Sequence, residues 1–390
     1  MTPAARVEAA IEVLDRYLGG LAAEQALTRW ARGARYAGSG DRAAVRDHVF
    51  GALRRLRSDA AFGGARTGRG LMLGALRRAG PDPETIFTGT PYAPAGLSND
   101  ERQAGRTPGA LAERLDIPDW LWPQFLASQG KAAEQAATAL QSRAPVHLRV
   151  NRIKGDRDGA IAALASDGVT CEVHQGAETA LVVREGSRRI RQSKPYLDGL
   201  VELQDVASQA VIEALPLRDG MRVLDYCAGG GGKALAMAAR ARIDLFTHDI
   251  SPDRMRDLPD RAARSGVNVT PLATDEVAQS APFDLVLCDA PCSGSGAWRR
   301  SPDGKWGLSQ GRLDELVQIQ GDILRLAAGY CAQSGVLAYA TCSLLTVENA
   351  GQVSAFLGEN KDWRAPWQKA WAVQAGSDGF YAAHLTREVP

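Results

Sequence analysis

The chain has 390 residues, 45% hydrophobic and 23% charged, with a formal net charge of +1. This ordinary globular balance allows two or three separate cores and excludes a disordered or fibrous protein. No apolar run approaches the roughly 20 residues needed to cross a bilayer, and Met1-Thr-Pro-Ala-Ala-Arg6 carries no apolar signal segment, so a cytoplasmic place without membrane contact is expected.

From Ala4 the apolar positions Val7, Ile11, Leu14 and Leu18 recur at helical spacing; Leu27 and Trp30 follow, and Val45, Val49, Leu53 and Leu56 mark a further helix. A small all-helical domain to about residue 78 is expected. Between Arg29 and Arg78 stand 12 arginines and 3 aspartates with no lysine or glutamate, an excess of nine positive charges suited to neutralising phosphates. A solvated helix face is the plainer reading. The stretch from Gly80 to Gly109, rich in Pro, Gly, Thr and Asn, reads as a linker or an extended connection, and Ile117 to Phe125 supplies apolar anchors. Strands over Val146–Val150, Val169–His174 and Leu181–Arg184, with a helix over Asp158–Ala165, predict a compact α/β module.

The most informative stretch is Val223-Leu-Asp-Tyr-Cys-Ala-Gly-Gly-Gly-Gly-Lys233, a strand ending at Asp225, a glycine turn and a helix start. Glycines there let the backbone approach a ligand closely, and the helix start offers unpaired N–H groups. A second strand, Asp244 to Ile250, places Asp249 where an acid can bind the two hydroxyls of a ribose. Two more strands lead into Cys292, within Asp289-Ala-Pro-Cys-Ser-Gly-Ser-Gly296, and into Cys342, within Ala340-Thr-Cys-Ser343. Helix Leu313 to Ala328, stopped by Gly335, precedes the last of these. Open α/β sheets bind ligands at this strand edge.

Together with Arg299-Arg-Ser-Pro-Asp-Gly-Lys-Trp306, these blocks resemble the Sun-type RNA cytosine-5 methyltransferases from about Ala144 onward. One departure is Gly229-Gly-Gly-Gly232, where the family usually has Ala-Pro-Gly-Gly. The resemblance implies an α/β fold: a Rossmann-like S-adenosylmethionine-dependent methyltransferase domain over 201–390, a small α/β RNA-binding module over 131–200 and a helical NusB-like RNA-binding domain with linker over 1–130. It also implies an RNA substrate, ribosomal in the first instance, and a monomer. Cys342 would be the nucleophile, Cys292 would assist release, and Asp289 would face the base or the cofactor. Cys227, Ala228, Gly229, Gly230, Gly231, Gly232, Lys233, Asp249, Asp275 and Asp289 would hold the cofactor, Asp249 through the ribose and Asp275 through the adenine amino group. Within Leu148-Arg-Val-Asn151 and beyond, Arg149, Arg152, Lys154, Arg188, Arg189 and Arg191 would help hold RNA, while Lys233, Arg300, Lys305 and Trp306 would orient the loop or the RNA.

Carbon 5 of cytosine is a poor nucleophile, and a thiolate adding at carbon 6 makes it a good one. Two cysteines with separate duties suit that sequence of steps. The plainer reading of a lone cysteine is a buried structural thiol, and Cys171, Cys288 and Cys331 fall on core patterns, with Cys227 packing in its turn. His48, His147, His174, His248 and His384 have no ligand spacing, so no metal is expected. A transfer RNA methyltransferase with the same site and a non-catalytic RNA-binding assembly factor are the competing readings.

Overall fold

Apolar residues every three to four positions give the first helices one buried face each: Pro3–Leu18 (α1), Ala23–Gly33 (α2), Ser39–Arg54 (α3), Leu56–Gly63 (α4) and Gly68–Ala79 (α5). Their core gathers Val7, Val13, Leu14, Trp30, Val49, Leu53 and Leu71. Helices α4 and α5 touch backbone to backbone, because a Cβ on Gly74 would lie 1.8 Å from the Asp59 carbonyl oxygen. The computed structural model describes residues 1–374 and 376–388. It divides into a helical unit, Met1–Arg143 with Trp298–Leu308, and an α/β unit, Ala144–Ala297 with the chain from 309 onward.

Two expectations change within the helical unit. The stretch 80–109 is no free linker: Ile86, Phe87 and Leu97 join the core, Arg69 pairs with Glu101, and Arg77 donates to the Phe62 and Ala104 carbonyls. Second, Arg300, Lys305 and Trp306, expected to orient the loop or RNA, lie in the segment Trp298–Leu308, which folds with the helices. The Trp306 indole N–H donates to the Leu53 carbonyl at 2.7 Å, Lys305 Nζ to the Arg54 carbonyl at 3.2 Å, and Arg54 Nε to the Arg299 carbonyl at 2.7 Å. Both Lys305 and Arg299 are buried.

In the α/β unit, Val146–Val150 (β1), Thr170–Val173 (β2), Ala180–Glu185 (β3) and Val201–Leu203 (β4) form an antiparallel sheet in the order β2-β3-β1-β4. Helix Arg157–Ser166, capped by Asp156, supplies Ala160 and Leu164 to its core. The larger sheet runs through Arg222–Asp225 (β5), Asp244–Thr247 (β6), Thr270–Pro271 (β7), Phe283–Asp289 (β8), Cys331–Thr341 (β9), Trp363–Trp371 (β10) and Phe380–Arg387 (β11), in the order β10-β11-β9-β8-β5-β6-β7. Strands β5 to β9 are parallel, β5 and β8 being largely buried apolar runs; β11 and β10 close one edge antiparallel. The order in which strands are added reverses between the parallel neighbours β5 and β8, and the carboxyl ends of such a pair open a crevice. Helix Gln310–Tyr330 runs directly into β9. Its stop is therefore Cys331, already extended and paired with Phe283, and not Gly335. Among the described residues no helix is long and apolar enough to cross a membrane.

Candidate active site

The glycine turn lies at the carboxyl end of β5 and leads into helix Gly232–Ala238. Gly229 and Gly231 have φ of 50° and 75°, and a Cβ on Gly231 would stand 2.2 Å from Leu258 Cδ1, so this turn needs its glycines. Side chains from elsewhere hold its shape. Arg149 donates to the Gly232 carbonyl at 2.8 Å and Gln204 Nε2 to the same oxygen at 3.1 Å. Arg261 donates to the Gly230 carbonyl and pairs with the buried Glu202, which also takes Arg264. Arg149 was expected at the RNA, but it is buried, and burial lowers its pKa to about 10. Asn151 of the same motif is buried too, donating to the Gly199 and Ser265 carbonyls. Arg149 thus braces the turn, while Asn151 ties β1 to the segments at Gly199 and Ser265.

The expected acids occupy different settings. Asp249, just beyond β6, accepts from the Gly229 amide at 2.9 Å, the Ser251 amide at 3.0 Å and Arg254 at 2.9 Å. Asp289 ends β8 and receives Lys233 Nζ at 2.6 Å. Burial alone would lower the pKa of Lys233; the Asp289 carboxylate and the nearby Cys342 outweigh it and raise it. Asp275 sits exposed in the first turn of helix Thr274–Ser280. Asp225 was assigned no role by sequence reasoning, although it ends β5 beside the turn. It is 1% exposed, neither carboxylate oxygen has a full hydrogen bond among the described residues, and the Ala234 amide and the Lys233 charge act on it. Burial, then the charge of Asp289, pushes its pKa up to about 7. A buried carboxylate without a partner beside a glycine turn fits the ammonium group of S-adenosylmethionine, and Asp249 with Gly229 fits its ribose side.

The two thiols singled out by sequence meet. Cys292 lies three residues past β8 and Cys342 one past β9, neighbouring parallel strands, and their sulfurs are 3.5 Å apart. Both are partly exposed, while Cys171, Cys288 and Cys331 are buried, with Cys171 pushed up to about 11 and Cys331 to about 12 by burial. Burial also raises Cys227, reinforced by Asp225, which favours a packing role there. The hydrogen bond to Cys342, then burial and the charges of Cys342 and Glu348, raise Cys292 well above the ordinary thiol range. Cys342 lies within reach of the Lys233 charge. The buried Glu348, behind both loops, has no counterpart in the sequence reading, because its partners are 55 and 5 residues away.

Residues 212–386 match the family model described as 16S rRNA methyltransferase RsmB/F, and residues 117–188 match the RsmF/B-like ferredoxin-like domain. The Ribosomal RNA small subunit methyltransferase B of Sodalis glossinidius is 33% identical over 310 residues, covering 74% of this chain and 71% of its own. That of Erwinia tasmaniensis is 31% identical over 311 residues, covering 74% and 72%. Among solved structures, that of PH0851 superposes with a TM-score of 0.75 over 99% of both chains at 21% identity. NSun6 from Pyrococcus horikoshii with SFG gives 0.63, over 70% of this chain and 99% of its own, at 17% identity. At such identities the likeness is one of fold.

Proposed function

Since the chain belongs to the RsmB/F family of S-adenosylmethionine-dependent rRNA methyltransferases, we propose that it methylates carbon 5 of a cytosine through a covalent bond to Cys342. The observation that carries this reading is the 3.5 Å meeting of Cys292 and Cys342 beside the Lys233–Asp289 pair. The Cys342 thiolate adds to carbon 6, forming an S–C bond and leaving carbon 5 electron-rich. S-adenosylmethionine supplies the electrophilic methyl group. The proton on carbon 5 then passes to water as base, the S–C bond breaks with its electron pair returning to the Cys342 sulfur, and the ring is restored. Cys292, 3.5 Å from Cys342, would reprotonate that sulfur and so prevent its return to carbon 6. Asp289 and Lys233 together offer an acceptor and a donor to the pyrimidine edge.

The cofactor would be held by Cys227, Ala228, Gly229, Gly230, Gly231, Gly232 and Lys233 of the turn, by Asp249, and by Asp225, with Asp275 at the adenine end. The parts 1–130, 131–200 and 201–390 would act as helical NusB-like RNA binder, small RNA-binding module and catalytic domain. A cytosine within a stacked helix hides the face that must meet the thiol, so the target is unpaired or flipped outward.

Bisulfite mapping of 16S rRNA from cells lacking the protein tests this reading, with Cys342→Ala as the complement. The expected result is one cytosine that loses its mark, regains it with the wild-type chain and does not regain it with Cys342→Ala, while that variant still binds RNA. A mark lost from transfer RNA instead, or restored by Cys342→Ala, would overturn the substrate or the mechanism respectively.

A further inference from the structure

Glu348 is wholly buried in a short 3-10 turn that follows Cys342, and no lysine or arginine among the described residues pairs with it. Four hydrogen bonds converge on its carboxylate instead. One oxygen accepts from the Ser293 amide at 2.7 Å and Gln320 Nε2 at 3.1 Å; the other accepts from the Ser293 hydroxyl at 2.5 Å and the Ser343 hydroxyl. Ser293 follows Cys292 in the chain, and Ser343 follows Cys342. The same carboxylate thus grips both cysteine-bearing loops one residue from each sulfur. Neighbouring bonds repeat the pattern: Gln320, from helix Gln310–Tyr330, also donates to the Pro291 carbonyl at 2.9 Å, and the Gly296 amide donates to the Cys342 carbonyl at 2.9 Å.

A buried carboxylate without a cation is costly unless its oxygens are fully hydrogen-bonded, and here the donors come from the two loops whose sulfurs must meet. A structural role alone would be met by any donors. These particular ones fix the separation of Cys292 from Cys342. We propose that Glu348 is a positioning residue that fastens the Cys292 and Cys342 loops to each other and so holds the two thiols at working distance. This rests on the two-thiol reading of the site, and the test is chosen to separate the two.

Phenylarsine oxide bridges two thiols through arsenic, releasing water, and succeeds only where both sulfurs are close. Wild-type protein is expected to take up one equivalent, lost in Cys292→Ala. In Glu348→Gln, which keeps the shape but replaces an acceptor with a donor, bridging should slow about tenfold or more, the scale of a lost hydrogen bond to a charged group. Alkylation of Cys342 alone by iodoacetamide should stay near the wild-type rate, and in RNA methylation kcat should fall with KM unchanged. Ser293→Ala, which removes one hydroxyl from a partly exposed residue, should slow bridging in the same direction and serves if Glu348→Gln does not fold. Bridging at the wild-type rate in a folded Glu348→Gln, or in Ser293→Ala if only that variant folds, would overturn the proposal. Wild-type protein that bridges but transfers no methyl group to RNA would instead overturn the reading of the reaction and leave the clamp standing.

Discussion

At the scale of single residues, the site depends on which groups carry protons. The hydrogen bond to Cys342, then burial, pushes the Cys292 thiol up, while the Asp289 carboxylate favours the charged form of Lys233. Asp225 adds a titration near neutrality. With a pKa of about 7 against an ordinary 3.8, it keeps a proton that the unfolded chain releases, so its ionisation costs stability as pH rises through that window. A bound cation offsets that cost. Affinity for S-adenosylmethionine should therefore rise roughly tenfold from pH 6 to pH 8, following ionisation of Asp225. In Asp225→Asn binding should be weaker and lack this component. Calorimetry on both proteins checks this, since titration of the cofactor's own amine is common to them. Parallel profiles would remove Asp225 from the cofactor site.

Among the elements, the segment Trp298–Leu308 is the clearest case of sequence position misleading about place. It follows the Cys292 loop in the chain, yet its side chains belong to the helical core. Burial drives the pKa of Lys305 from 10.5 to about 8, against the favourable charge of Asp116, so folding deprotonates this lysine between those values. The unfolded chain then binds more protons, and stability rises with pH across that range by up to roughly 3 kcal/mol. Thermal unfolding of the wild type and Lys305→Met from pH 7.5 to 10 tests this. The wild-type midpoint should climb relative to the variant as pH increases, and curves that stay parallel would contradict it. Strand ends were legible element by element, because apolar runs ending in Asp225 or Asp289 mark buried parallel strands. The hairpin of β10 and β11 was not, since Trp363–Trp371 mixes apolar, polar and charged residues without a regular period at a sheet edge and resembles exposed surface.

For the whole molecule, the partner is RNA, and the charge meant for it is smaller than the sequence suggests. Of the 12 arginines between 29 and 78, eight are engaged: Arg42, Arg54 and Arg77 donate to carbonyls, Arg46, Arg57, Arg69 and Arg78 pair with acids, and Arg55 donates to Gln141. Arg29, Arg32, Arg35 and Arg66 remain exposed, the first three on or just past α2. Replacing Arg29, Arg32 and Arg35 by Ala should weaken RNA binding and flatten its log–log salt dependence by about 2 to 3. Arg78→Ala should lower stability instead, by leaving the buried Asp59 without its partner. Salt titrations that match wild type in the triple variant would move the RNA contact elsewhere. The glycine turn and the paired thiols were readable because each lies within one short stretch ending a strand. Arg149, Glu348 and Lys305 were not, because their bonds span 83, 55 and 251 residues and only folding brings the partners together. The most direct test of the account is to incubate Cys292→Ala with rRNA and S-adenosylmethionine, resolve the products on a denaturing gel and map the shifted band by peptide mass. A stable protein–RNA adduct attached at Cys342 is predicted; an adduct on any other residue, or free protein alone, would contradict it.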